Sequence, residues 1–413
     1  MVGFEQPHPF KEAHHHLSVM TKLYRSAAAL VLSLPLLGLG QQQAAAPDPW
    51  AFTHSNQEKA IVLSHTGGFN IGSKIVADPR RPGQTITCDH GYFEYFIPLH
   101  SPPQGHLRRT TSLVLWHSSS TQTFQNRWDG GPGFKDLLLR LGYPVYLFEA
   151  PRLGRANWAC KPHRYDVTYR DQDNFLAWNF GPSYLNWWPG LQWPEDPEVK
   201  RLSWEQATGG RYVEFDDYEH ILLHAEVAAK GAVHTEQGAE RGGVVYLTNS
   251  AAGLRALLAA TLSDETVGKI RGIVAYESAG YVFPEGHNVT DRRDEPFGPL
   301  VVTQEAWRRL AKLDFVQFVW GDNRPETGSG FWEEMVVQSR LCAELINLYG
   351  GNAEVVKLKE DLGVVGNTHC PFTDMNNEVI LGLLEERLER SGLDGFEGRV
   401  GKGKGKGKSK WRG

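Results

Sequence analysis

The sequence is poor in cysteine. Four cysteines occur, Cys88, Cys160, Cys342 and Cys370, with no C-x-x-C pair and no Cys/His ligand spacing. A structural zinc site is therefore not expected, because such sites need clustered thiolates and imidazoles. A basic excess is also missing. The formal net charge is −5, which gives no electrostatic footprint for a nucleic acid. Long apolar runs are absent too. Ser26 to Leu37 is too short to span a bilayer, which takes roughly 20 residues, so no stable membrane anchor is expected.

What is present is an ordinary apolar content of 41%, enough for a buried core. Thirteen tryptophans add large apolar faces, each with one N–H that needs a partner. The last stretch, Gly401 to Gly413, carries six positive charges and no acid, so the remainder is more acidic than the net charge suggests. Its Gly-Lys alternation predicts disorder, with residues 393–413 as a basic tail. At the other end, Met20 to Arg25 is a short basic segment, Ser26 to Leu37 an apolar one, and Gly38-Leu39-Gly40 a small-residue cleavage pattern. Residues 1–40 thus form an N-terminal extension with the layout of a signal peptide starting at Met20, and the expected destination is extracellular. Secretion would make the Asn288-Val289-Thr290 triplet a usable glycosylation site. It would also permit disulfides, although four cysteines allow three full pairings between which sequence does not choose.

From about residue 60, short β-rich runs alternate with amphipathic stretches. Ile71 to Ala77 and Tyr92 to Pro98 look like an opening antiparallel pair. Ser112 to His117, Tyr143 to Glu149, Gly243 to Thr248, Ile270 to Glu277, Phe315 to Gly321 and Ala353 to Leu358 follow. Each is short, apolar and bounded by Gly or polar residues, the pattern of strands buried on both faces. Phe134 to Leu141, Asp216 to Ala232, Gly253 to Leu262, Phe331 to Tyr349 and Asn376 to Ser391 have helical spacing. The alternation predicts an α/β fold with a mostly parallel central sheet flanked by helices, its core formed by residues 60–154 and 213–392. Ligands bind beyond the carboxyl ends of such strands, so chemistry belongs in the loops after them. Residues 155–212 interrupt the rhythm and hold six of the tryptophans. So aromatic a segment reads as a cap over the sheet's carboxyl edge, enclosing an apolar pocket. The alternative is an insertion that only packs.

Ser250 lies between a strand and the helical run beginning Ala251-Ala252-Gly253. A strand that runs into a helix through Ser, with small residues around it, is the layout of a nucleophile elbow, although G-x-S-x-G itself is absent. The competing role is a helix N-cap. His369 follows the last strand and precedes the last helix, where a base can reach such a nucleophile. Two acids end strands nearby. Glu277 closes an apolar strand, where a carboxylate is costly to bury unless paired. Asp322 sits in Gly321-Asp322-Asn323, which is also strong turn chemistry. Glu277 is favoured as the acid and Asp322 is kept as the alternative. An oxyanion hole would use the N–H of Ala251 and one from the loop after Trp116, with Ser119 the best donor and Ser118 next.

These residues, in this order, resemble the α/β-hydrolase superfamily. They are most similar to bacterial and fungal esterases whose acid is a Glu after the strand that follows the nucleophile. The carriers are Trp116-His117-Ser118-Ser119, Glu149 to Arg155, Asn179 to Tyr184, Thr248 to Gly253, Tyr276-Glu277, Gly321-Asp322, Gly366 to His369 and Asp374 to Asn377. The resemblance spans roughly residues 65–392. It implies Ser250 as nucleophile, His369 as base, Glu277 as acid and 155–212 as a cap. The chain departs from it in having Asn249 where many relatives have His, and Ser where the oxyanion loop has Gly or Cys. The implied activity is hydrolysis of a small-molecule ester or lactone without a metal or organic cofactor. A lyase, cyclase or acyltransferase using the same residues, or a ligand-binding protein without turnover, are the alternatives.

Overall fold

The computed structural model describes residues 60–117, 120–165, 170–235, 243–325 and 330–398. The expected leader and residues 399–413 of the basic tail lie outside them. Twelve strands occur in the order β1 (Leu63–Ile71), β2 (Lys74–Ala77), β3 (Thr85–Cys88), β4 (Gly91–Pro98), β5 (Ser112–His117), β6 (Val145–Glu149), β7 (Val244–Asn249), β8 (Ile270–Tyr276), β9 (Val282–Pro284), β10 (Leu300–Val302), β11 (Phe315–Trp320) and β12 (Ala353–Lys357). Eight of them form one sheet in the order β1-β4-β6-β5-β7-β8-β11-β12. From β6 to β12 every neighbouring pair is parallel, whereas β1–β4 and β4–β6 are antiparallel.

The period of two along each strand divides the core between the two faces. Val114, Trp116, Tyr246, Phe318 and Trp320 point to one face. There they meet the helices Tyr218–His234, Ala251–Ala259 and Phe331–Leu348. Leu113, Leu115, Val245, Leu247 and Val319 point to the other, under the helices Phe134–Arg140 and Asn377–Arg390. With both faces covered, these strands read as continuous apolar runs in the sequence.

Three expectations need correction. The partner of β4 is Leu63–Ile71, not the run Ile71 to Ala77. Gly72, at φ +75°, breaks that run, and its second half pairs with β3 in a separate two-stranded ribbon. The expected disordered tail begins too early. Leu393 is buried, the Arg109 guanidinium lies 3.9 Å from the Phe396 ring centroid, and Glu397 accepts from Arg108 at 2.9 and 3.1 Å. The cap segment also contains two helices, Asp171–Ala177 and Pro197–Gly209. Asp196 caps the second by accepting from the N–H groups of Glu198 and Val199, with Pro197 in the first turn.

The cap's aromatic rings pack mostly on one another. Phe180 and Trp193 are 4.6 Å apart, Phe175 and Trp187 4.8 Å, and Trp128 from the core reaches Trp193 at 4.8 Å. Phe175, Phe180 and Trp193 are buried, so these rings form the cap's own interior, continuous with the core beneath. Cys88 and Cys160 form a disulfide that ties β3 to the start of the cap. Closing a loop of 72 residues stabilises a chain by roughly 3–5 kcal/mol. Cys342 and Cys370 are free and buried. Among the described residues, no helix is long and apolar enough to cross a membrane.

Candidate active site

Ser250 follows β7 and precedes the helix Ala251–Ala259. Its backbone is at φ +57°, a conformation that costs a non-glycine residue about 1–3 kcal/mol and persists only where the surroundings enforce it. Its N–H donates to the Tyr276 carbonyl (3.2 Å), and its own carbonyl accepts from Gly253 (2.9 Å) and Ala279 (3.1 Å). Close packing is needed for this turn. A Cβ on Gly253 would lie 2.2 Å from Ser278 Oγ, so the helix approaches the end of β8 only with glycine there. The Ser250 side chain makes no capping hydrogen bond to the helix, which removes the simplest structural reason for a serine.

His369 is buried in the loop between β12 and the last helix. Its Nδ1–H donates to Glu277 Oε2 at 3.2 Å. Glu277 follows β8, is fully buried and, like Ser250, has a positive φ, +47°. Its carboxylate also accepts from the Gly321 N–H (2.7 Å) and from Arg324 Nε (2.6 Å). Burial pushes the Glu277 carboxyl up. The Arg324 guanidinium, His369 and the Gly321 N–H outweigh it and hold the group below the usual carboxylate range. Burial likewise drives His369 below its ordinary 6.5, opposed by Glu277 and reinforced by Arg324. The pair therefore rests as a carboxylate beside a neutral imidazole at neutral pH.

Asp322 takes no part in holding the imidazole among the described residues. It accepts from Gly366 N (3.1 Å) and Asn323 N (2.6 Å) and pairs with Lys359 at 2.8 Å. It thus fixes the loop that carries His369, three residues upstream of it. The rest of that loop is held by Asp374, which accepts from Thr368 N (2.7 Å), Thr368 Oγ1 (2.7 Å), Trp128 Nε1 (2.8 Å) and Asn367 Nδ2 (3.0 Å). Burial pushes the Asp374 carboxyl up to about 7, against four hydrogen bonds that favour its anion.

Asn249 ties the segment that carries Ser250 to the backbone of the His369 loop. Asn249, directly before Ser250, donates from Nδ2 to the His369 carbonyl (2.8 Å) and to the Tyr276 carbonyl (3.1 Å). Among the described residues no hydrogen bond joins Ser250 Oγ to His369, a looseness common in sites without substrate. Ala251 is buried at the first helical position, and among the described residues nothing accepts from its N–H. Ser118 and Ser119 lie outside the described residues. Ser120, which follows them, uses its N–H on His117 Nδ1 (3.2 Å). Segment 155–212 meets the His369 loop here: the Trp178 carbonyl accepts from His369 N (3.0 Å). Trp332, in the helix Phe331–Leu348, places its ring 4.9 Å from the imidazole.

Arg324 was not anticipated from sequence. Besides Glu277 it donates to the Ala177 carbonyl in the cap (3.0 Å) and lies 4.3 Å from the Trp332 ring centroid. Its only signal is that it follows the Gly-Asp-Asn turn at the end of β11.

No protein-family model matches the chain, and no curated protein matches it. Solved structures do. A bacterial esterase superposes with a TM-score of 0.62 at 19% identity, over 81% of this chain and 98% of that one. An acylaminoacyl peptidase from Pyrococcus horikoshii gives 0.42 at 13% identity, over 82% of this chain and 43% of that one. An S-formylglutathione hydrolase from Agrobacterium tumefaciens gives 0.36 at 13%, over 80% and 97%. Of these three, the first is similar enough over its whole length to compare architectures. At that identity the likeness speaks for the fold and not for the reaction: with the sheet order, it shows an α/β-hydrolase fold.

Proposed function

We propose that the protein is a serine hydrolase cleaving a carboxylic ester or lactone of an apolar or aromatic small molecule through an acyl-enzyme. The observation that carries this reading is the strained turn at Ser250, whose neighbour Asn249 bonds to the His369 carbonyl, together with a His369 imidazole bonded through Nδ1 to a buried Glu277 held below the usual carboxylate range. Strain at a non-glycine residue and a charge buried at a cost are both kept only where something over-determines them.

Ser250 Oγ attacks the carbonyl carbon as His369 Nε2 takes its proton. Glu277 holds the ring through Nδ1–H and stabilises the imidazolium. The oxyanion accepts from the Ala251 N–H and from the N–H of Ser119 or, second, of Ser118. His369 returns the proton to the leaving alcohol. A water, deprotonated by His369, then releases the acid and regenerates Ser250. Trp178 and Trp332, both half-buried beside His369, supply apolar surface for the substrate. The Cys88–Cys160 disulfide and the exposed Asn288 of the sequon are consistent with secretion, which we also propose.

The test is hydrolysis of a panel of p-nitrophenyl and aryl esters by wild type and Ser250→Ala, with fluorophosphonate labelling of the wild type. Turnover lost on substitution and a label on Ser250 are expected. An unlabelled wild type with no turnover overturns the reading.

A further inference from the structure

Three buried polar residues remain that the reaction does not use, and each stands next to one that it does. His117 ends β5 and directly precedes Ser118 and Ser119 in the chain, Asn249 immediately precedes Ser250, and Cys370 immediately follows His369. All three are at most 5% exposed. Their contacts form one line. The Ser120 N–H donates to His117 Nδ1 (3.2 Å). That leaves the proton on Nε2, which faces Cys370 Sγ at 3.7 Å. The thiol donates in turn to Asn249 Oδ1 (3.6 Å). Asn249 Nδ2 donates to the carbonyl of His369 (2.8 Å).

Every member has one consistent role in this direction. An imidazole that accepts at Nδ1 must donate at Nε2 when neutral, a thiol both accepts and donates, and a primary amide accepts at oxygen and donates at nitrogen. The imidazole stays neutral. Burial, with His369 and Arg211 nearby, drives His117 down to about 3. Burial raises the Cys370 thiol well above its ordinary range, so it remains protonated and is no second nucleophile. The individual sulfur bonds are weak, but all the groups are buried, where an unmatched donor or acceptor is costly.

We propose that Ser120–His117–Cys370–Asn249 is a neutral hydrogen-bond relay that sets the mutual position of the end of β5, the nucleophile and the base. Its members are positioning residues. They touch neither substrate nor reacting atoms, and act through the backbone on either side of Ser250 and His369. The proposal rests on the serine-hydrolase reading above. It gives a reason for one departure from the resembling esterases. Asn at position 249 offers an acceptor to the thiol and two N–H donors to carbonyls, one at the end of β8 and one in the His369 loop, which His does not.

The test uses the full chain with Cys370→Ser, which keeps a donor and an acceptor, beside Cys370→Ala, which keeps neither. Cys370→Val, close to cysteine in shape and without polar atoms, replaces Ala should that variant not fold. The readouts are kcat and KM on a p-nitrophenyl ester and the rate of fluorophosphonate labelling of Ser250. Ala or Val should lower kcat and the labelling rate together by about 10-fold or more with KM unchanged, since displacements of an ångström or less cost up to about 10²-fold. Ser should restore both to within about threefold. The double variant with His117→Asn should lose little beyond Cys370→Ala alone, as coupled members of one chain do. Labelling at the wild-type rate in Cys370→Ala or Cys370→Val, or no recovery with Ser, overturns the relay while leaving the serine-hydrolase reading intact. Failure of the wild type to label at all overturns both.

Discussion

The neighbouring strands β8 and β11 are each followed closely by a carboxylate, and the two carboxylates are used in opposite ways. Glu277 is fully buried and faces an imidazole and a guanidinium, so its charge is retained for what it does to other groups. Asp322 shares its oxygens between two backbone N–H groups and the half-exposed Lys359, so its charge shapes a turn. Position relative to the sheet thus did not separate acid from architect. The partners did, and the clearest among them is Arg324, which reaches Glu277 from the turn that Asp322 organises.

The most severe way to sharpen this contrast is Glu277→Gln. It removes the charge that fixes the imidazole tautomer, and kcat/KM should fall by about 10⁴-fold, as for the equivalent change in other triads. A loss of only tenfold would return the acid role to Asp322. Next in size is Arg324→Met. It takes a positive charge from beside His369, and with it the main group holding Glu277 ionised. The proposed mechanism requires neutral His369 and charged Glu277. In the wild type the acid limb of the kcat/KM profile should therefore lie below 6.5, and in the variant it should move to higher pH. An unmoved limb would make Arg324 merely a packing residue. Asp322→Asn comes third. It keeps the shape of the turn but loses the ion pair and weakens the bond to Gly366, so kcat should fall by about tenfold or less, alongside a Tm lower by a few degrees. Smallest is Lys359→Ala, a pair at the surface whose removal should leave kcat/KM and Tm within error.

Much of this arrangement was legible in the sequence because it follows chain order. Strands buried on both faces leave apolar runs, and the loops after them carried Ser250, Glu277 and His369 in a recognisable sequence. What was not legible depends on distance through space. Nothing in Gly-Asp-Asn-Arg distinguishes a buried guanidinium from a surface one, and Asn249 shows its use only beside the carbonyl of a residue 120 positions away. That Cys88 pairs with Cys160 while Cys342 and Cys370 stay free, an outcome outside the three full pairings, likewise needed coordinates. One signal was present and unused. Asp196-Pro197-Glu198 is a helix start by capping chemistry, and it lay within a segment read only for its aromatics.

The cap is stitched to the base by its backbone. Trp178 O holds His369 N, Gln192 N reaches Gly366 O, and Gln192 O accepts from Met375 N. Gly366, at φ +79°, leaves no room for a side chain there, since a Cβ would lie 1.9 Å from Gly190 O. On the proposed reading, segment 155–212 and the site beneath it are therefore not interchangeable parts. Grafting a foreign cap between residues 155 and 212 to change substrate preference would remove the carbonyl that seats the histidine, so retargeting has to proceed by exchanging side chains on the existing cap rather than by replacing it.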